Sequence, residues 1–319
     1  MKNKLLPLLA VLASVILWGL SFLSIKFVVQ EIPPASMAWF RQIPALITLL
    51  ILMRQRKETF QILKSEWLTF IAATLFGIVL YSVFENSGLQ FTSPATASML
   101  VAAIPVFILI LESAFTRQWP DWITALCIFL SIGGVWLVLF DGGAPDLTRG
   151  SLKGNLLVLA AMACWIIYTF LSKKLGQRYS SLKLTTIQTL CALFLFLPFS
   201  VGEIHRWRLP SMTATLHLTF LGVFCSAIAY VLYLYGVNVL GSVIPSTFLN
   251  LCPVVTILAG FLVLGEVPTW VQLTGALLII GSLTALSLIK VARMRKKAVL
   301  PAAMTIEETE DQARRFMEV

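Results

Sequence analysis

Charge is scarce in this 319-residue chain: Asp, Glu, Lys and Arg make up 12% of it, against about 25% in an ordinary soluble domain. Histidine occurs only as His205 and His217, which argues against a catalytic metal centre. The five cysteines (Cys127, Cys164, Cys191, Cys225, Cys252) have no C-x-x-C spacing, are odd in number and all fall inside apolar runs. They read as small buried apolar side chains, with neither a disulfide nor a metal site implied. No G-x-x-x-x-G-K-[ST] run is present to cradle phosphates, and no stretch between apolar segments is long enough for a soluble nucleotide-binding domain. These absences exclude an ordinary cytosolic enzyme and direct use of ATP, and no cofactor is expected.

What the chain has is hydrophobicity: 58% apolar residues and a mean hydropathy of +0.89. That excludes disorder, which needs low hydrophobicity and high charge. A helix needs about 20 apolar residues to cross a bilayer. Ten such segments can be marked, at approximately 5–29, 34–53, 67–88, 93–114, 119–140, 151–172, 184–202, 212–236, 242–264 and 268–290. Helices are expected, because an open sheet edge in lipid would leave backbone groups unpaired. The first run continues to Val29, too long for the apolar region of a cleaved signal peptide, so it is read as a retained span.

Basic residues set the orientation. Eighteen of the 24 Lys and Arg fall on one side (Lys2, Lys4, Arg54 to Lys64, Arg117, Lys173 to Lys183, and those from Lys290 on). Four (Arg149, Lys153, Arg206, Arg208) fall on the other, and Lys26 and Arg41 lie within spans. The positive-inside rule then places both termini in the cytoplasm of a multi-pass protein of the cell membrane. The net charge of +9 is spread over short runs between spans. It therefore suits a lipid bilayer as partner, and no nucleic acid is expected. Nothing in the sequence reports oligomeric state.

The chain also repeats itself. Pro105-Val106 recurs as Pro253-Val254, Pro120-Asp121-Trp122 as Pro268-Thr269-Trp270, and Gly133 as Gly281, each 148 residues on. Leu23-Ser24-Ile25-Lys26 recurs as Leu171-Ser172-Lys173-Lys174 at the same offset, and Trp18 falls opposite Trp165 after a one-residue slip. Each half holds five spans. Five is odd, so the second copy must enter the membrane from the opposite side, as in many secondary transporters. The expected architecture is an all-α integral membrane protein of ten transmembrane helices in two inverted five-helix repeats, 1–145 and 146–290, with a tail over 291–319. Pro94 and Pro105 should interrupt the fourth span, and Pro245 and Pro253 its counterpart, the ninth. Corresponding interrupted spans point to a binding site near the midplane.

Charges inside the membrane cost at least about 2.5–3.5 kcal/mol each, so they are normally paired or line a cavity. With the N-terminus inside, Lys26, Arg41 and Glu85 share the outer half of the first repeat, and Glu85 is predicted to neutralise Lys26 or Arg41. The group could be a latch closing the outer side, or a proton or substrate-carboxylate site; the sequence leaves both open. Aromatic residues gather on the first, third, sixth and eighth spans, and most could serve packing or interface belts. Trp18 and Trp165 are repeat mates well inside their spans. With Tyr81, Tyr168, Tyr230, Ser98, Asn250 and Thr256 they form the candidate substrate-binding set, a mostly apolar cavity with a few polar anchors. Asn250 could bind substrate or satisfy a carbonyl freed by Pro253.

Several of these residues carry a resemblance. Trp18-Gly19-x-Ser21-Phe22, Arg41, Phe84-Glu85-Asn86-x-Gly88-Leu89 before Thr92-Ser93-Pro94-Ala95, and Leu264-Gly265-Glu266 followed by Gly275-Ala276-Leu277 resemble the EamA-type group of the drug/metabolite transporter superfamily. The resemblance spans roughly 10–290 and implies ten helices in two inverted repeats, with export of small metabolites, often amino acids, or of toxic compounds. One departure stands out: Gln118 occupies the first-half position that Glu266 holds in the second. The leading expectation is a secondary transporter that moves a small-molecule substrate outward by alternating access, without enzymatic activity. A membrane-embedded sensor or assembly factor remains open beside it. A membrane enzyme is disfavoured by the lack of clustered Asp, His or Glu.

Overall fold

The computed structural model describes residues 5–104, 106–107, 110, 117, 121–140, 150–176, 178–240, 245, 248–286 and 288–289. Among these residues every regular element is helical. The first, α1 (Leu5–Val28), is a single apolar helix of 24 residues, about 36 Å long at 1.5 Å per residue and so able to cross a bilayer. Next come α2 (Pro34–Phe40) and α3 (Gln42–Arg56), two parts of one apolar stretch that break at Arg41. Pro44 explains the break: it has no N–H to give the Phe40 carbonyl, and its ring crowds that turn. The left-handed backbone of Lys57 (φ 54°) then closes α3.

A 3₁₀ turn over Lys64–Glu66 leads into α4 (Trp67–Thr74), a π-helical segment over Leu75–Leu80, and α5 (Tyr81–Leu89). Then α6 (Pro94–Val101) begins at Ser93, whose hydroxyl accepts from Thr96 N–H at 3.1 Å. The chain continues through α7 (Trp122–Phe140), α8 (Gly150–Gly176), α9 (Ser181–Leu195) and the short α10 (Leu197–Gly202). It resumes in α11 (Met212–Phe220), a second π-helical segment over Leu221–Ile228, and α12 (Ala229–Leu240). A 3₁₀ turn over Leu249–Leu251 precedes α13 (Cys252–Leu264), and α14 (Trp270–Leu286) follows. Among the described residues, six stretches are long and apolar enough to cross a membrane: Leu5–Val28, Pro34–Arg56, Lys64–Leu89, Leu152–Ser172, Ser181–Gly202 and Met212–Val237. Three shorter apolar helices, Trp122–Val138, Leu249–Leu264 and Trp270–Leu286, join them.

The prolines divide. Pro94 does not interrupt a helix; it occupies the first turn of α6, where its missing N–H costs nothing. The interruption falls later, at Ala102–Ala103, where Ala103 N–H bonds to Leu100 O and Val106 N–H to Ala103 O in tight three-residue turns. Pro105 itself lies outside the described residues. In the second half, the 3₁₀ turn over Leu249–Leu251 stands 148 residues on from 101–103, and Pro253 opens α13 directly after it. Pro245 is helical and buried.

The elements pack around α1, which lies against α11, α12 and α13, while α5 lies along α8 and α3 along α9. Close approach needs small residues, as in other membrane helices. A β-carbon on Gly88 would lie 2.9 Å from Gly154 O, and one on Gly154 would lie 2.7 Å from Gly88 O. The centre holds Phe22, Ile25, Met37, Leu89, Met99 and Met162. Leu68, Phe129, Leu262 and Leu277 are left outward and exposed, the reverse of a soluble surface and the expected face toward lipid tails.

Candidate functional site

Arg41 is where the site begins. The break between α2 and α3 carries it into the bundle, where Nη2 donates to Ser82 Oγ of α5 at 3.0 Å. Beside it is a cavity of about 20 Å³ lined by Arg41, Gln42, Gly77, Ile78, Ser82, Thr185, Gln188, Thr189, Ser226 and Tyr230. Two walls come from the π-helical segments, which supply Gly77 and Ile78 on one side and Ser226 on the other. Such segments widen a helix locally and recur at functional sites. A third wall is the polar face of α9, where Thr185, Gln188 and Thr189 sit at helical spacing (i, i+3, i+4).

The aromatic residues predicted from sequence do converge. Trp18 packs edge-on to Tyr230 at 5.2 Å between ring centres and lies 5.1 Å from Tyr233. Trp165 lies 5.2 Å from Tyr81, 5.0 Å from Tyr168 and 6.3 Å from Tyr230. Tyr230 therefore touches both tryptophans and the cavity at once. The indole N–H of Trp18 is held by the Cys225 carbonyl at 3.1 Å, and the Tyr168 hydroxyl donates to Gln188 Oε1 at 3.3 Å.

Three predicted anchors stand apart from the cavity lining. The Ser98 hydroxyl donates to Ala95 O at 2.8 Å within its own helix. Thr256 Oγ1 lies 2.8 Å from Gly19 O and 2.9 Å from Cys252 O, tying α13 to α1. Asn250 is buried in the 3₁₀ turn before α13, and its Oδ1 has no protein partner.

The expected ion pair is not formed. Glu85 Oε1 accepts from the Tyr81 hydroxyl at 2.6 Å, one helical turn away. Lys26 Nζ donates to the carbonyls of Leu89 and Thr92, both at 2.8 Å. The physical reason is local. The end of α5 presents carbonyls without helical partners, which suit a cation, and Tyr81 reaches Glu85 at the i, i+4 spacing. Arg41 still acts on Glu85, Tyr81 and Tyr230 through space. Lys26 also borders a separate pocket of about 240 Å³ with Val29, Gln30, Leu89 and Gln90.

Carboxylates clasp both ends of the bundle. At one end Glu203 accepts from the N–H of Ala35 (3.4 Å) and Ser36 (2.8 Å) and from the Ser36 hydroxyl (2.8 Å), at the start of α2. Glu31 accepts there from the N–H and hydroxyl of Ser211, both at 2.7 Å, at the start of α11. At the other end Glu66 accepts from Arg178 at 2.7 Å and from Tyr179, while Glu58 accepts from the Ser180 hydroxyl at the start of α9. Neither these clasps nor the α9 wall is among the sequence expectations. The wall had a readable signal, Thr185-Thr186-Ile187-Gln188-Thr189, four polar residues inside an apolar span.

Long apolar helices around a small, polar-walled cavity define a multi-pass membrane protein of the transporter class. The EamA-like transporter family matches residues 5–140 and 152–288, and the chain belongs to that family. Among curated relatives, the uncharacterized transporter YetK of Bacillus subtilis (strain 168) is 24% identical over 95% of this chain and 92% of its own. The uncharacterized transporter YcxC of the same organism is 27% identical over 92% of this chain and 96% of its own. A protein of Streptantibioticus cattleyicolor named as a probable terminal-alkyne amino-acid exporter is 28% identical over 69% of this chain and 73% of its own. A solved crystal structure shares the fold with a TM-score of 0.64 at 18% identity, over 89% of this chain and 96% of that one.

Proposed function

We propose that this protein is a secondary transporter of the cell membrane that exports small organic metabolites, amino acids or related compounds, by alternating access. In this reading ten spans form two inverted five-helix repeats, 1–145 and 146–290, followed by a cytoplasmic tail over 291–319, and both termini face the cytoplasm. The observation that carries it is the cavity's position between elements that correspond across the 148-residue offset. Its walls are Arg41 on the second span against Gln188 on the seventh, and the π-helical segment of the third span against that of the eighth. The matching helix interruptions at Ala102–Ala103 and Leu249–Leu251 support the same symmetry. Trp18, Tyr81, Trp165, Tyr168 and Tyr230 supply an apolar bed, and the relative named as an amino-acid exporter favours that substrate class.

A cavity of about 20 Å³ holds little more than a water molecule, so passage of an amino acid requires one clasped end to open while the other stays shut. Counterflow in proteoliposomes tests the reading. Purified protein is reconstituted, loaded with unlabelled amino acids and offered radiolabelled ones, with and without a pH gradient. Saturable uptake of one class is expected; a folded sample that moves none of the panel overturns the substrate class.

A further inference from the structure

Two residues of the cavity lining carry a buried donor without a partner: Arg41 Nε and Gln188 Nε2. A guanidinium inside a membrane is costly unless an anion meets it. Glu85 does not meet it: its carboxylate bonds to Tyr81, while Arg41 bonds to Ser82, and the two act on each other only through space. The Gln188 amide is oriented for the task. Tyr168 donates to its Oε1, which leaves the N–H₂ end free to donate. We propose that Arg41 and Gln188 form a carboxylate-binding site, with the apolar body of the ligand laid against Tyr230 and Trp165; its role in transport rests on the reading above.

The donor set favours a carboxylate. A guanidinium edge presents two parallel N–H groups that match the two oxygens of a planar carboxylate. Ser82 takes one hydrogen of Nη2 and fixes the guanidinium plane. A substrate cation would instead face Arg41 with no free carboxylate in the lining. The cavity as it stands admits a head group only, so the rest of the ligand must enter where Tyr230 joins the aromatic bed.

The test uses the full chain purified in detergent, with 3-phenylpropionate, 3-phenylpropan-1-ol and phenyl phosphate as probes. Tryptophan fluorescence and thermal shift report binding, because Trp18 and Trp165 pack against Tyr230 of the lining. The acid should bind saturably and the alcohol at least about tenfold more weakly. Arg41→Gln should weaken the acid by about tenfold or more, while Arg41→Lys, which keeps charge but loses the fork, should fall between. Gln188→Glu, which places a like charge against the carboxylate, should also weaken it and serves if Arg41→Gln fails to fold. Equal binding of acid and alcohol, tighter binding of phenyl phosphate, folded variants with unchanged affinity, or no binding of the acid would each overturn the site. Counterflow separates the two readings. Flux without a carboxylate preference keeps the transporter and removes the site; Arg41-dependent binding without flux does the opposite.

Discussion

A β-carbon added to Gly77 would lie 2.1 Å from Tyr168 Cδ2 and 2.3 Å from its Cγ, so the π-helical segment of the third span and α8 meet through a glycine and a phenol ring. No side-chain adjustment absorbs that overlap, because it involves the ring carbons nearest the backbone. Tyr168 is also the residue that holds Gln188. The glycine therefore governs the orientation of an amide on another helix.

Gly77→Ala should consequently harm the protein despite alanine's better helix propensity, a gain of about 1 kcal/mol. Overpacking of this kind costs roughly 1–3 kcal/mol, and the displaced Tyr168 should release Gln188. The expected result is a lower melting temperature in detergent together with weaker 3-phenylpropionate binding. Gly133→Ala is a control, since nothing lies within 4 Å of a β-carbon there, and it should leave both measurements unchanged.

The clasps should control access. Glu203 holds the start of α2 through Ala35 and Ser36, and Trp207 adds a bond to Ser36 Oγ at 2.7 Å. In a background with the five cysteines replaced, Ser226→Cys places a reporter at the cavity. Glu203→Gln or Ser36→Ala should raise labelling of that reporter by an impermeant maleimide added outside, by about the several-fold change that a 1 kcal/mol shift in a two-state equilibrium gives. With both termini in the cytoplasm, as proposed above, Glu58→Gln should raise labelling from the cytoplasmic side instead. If both variants raise labelling from the same side, the two clasps are not opposed gates.

Much of the architecture was legible because the bilayer imposes it: a run of about 20 apolar residues must be a helix, as α1 illustrates. The aromatic cluster was legible too, since Trp18 and Trp165 occupy matching places in the two halves. Pairing was not. Glu85 had two cations within plausible reach in sequence, yet Tyr81 at i−4 and the carbonyls at the end of α5 satisfied the charges locally. Ser98 and Thr256 were expected as anchors, but their hydroxyls return to backbone carbonyls, the ordinary fate of Ser and Thr in a helix. The α9 wall is hard to read from sequence because Thr185, Gln188 and Thr189 carry no charge. The π-helical segments have no side-chain signature at all.

Lys26 should contribute to stability through the helix end it caps. Lys26→Met leaves the carbonyls of Leu89 and Thr92 without their donor, at a cost of roughly 1–3 kcal/mol for buried acceptors. Lys26 and Glu266 also interact through space, and Glu266 Oε2 is buried without a partner. Removing both charges should therefore hurt less than the two single losses added together. Unfolding of Lys26→Met, Glu266→Gln and the double variant, followed in one detergent, gives the coupling. Strict additivity would remove Glu266 from the account.

Acidification should loosen the end of the bundle that Glu31 clasps. The N–H and hydroxyl of Ser211 hold the Glu31 carboxyl below its ordinary value, so the folded protein favours the charged form more than the unfolded chain does. A lowered native value means that the contribution is complete above the unfolded carboxyl range, about pH 4.3, and is lost as pH falls through the native value. Glu31 is solvent-exposed and therefore well screened, so the effect should be small and confined to the acid range. The measurement is the difference in melting temperature between the native chain and Glu31→Gln, taken from about pH 6 down to about pH 3. That difference should be steady near the upper end and shrink toward the lower one as protonated Glu31 comes to resemble glutamine. A difference that stays constant across the range would show that the Ser211 bonds contribute nothing to the charged form.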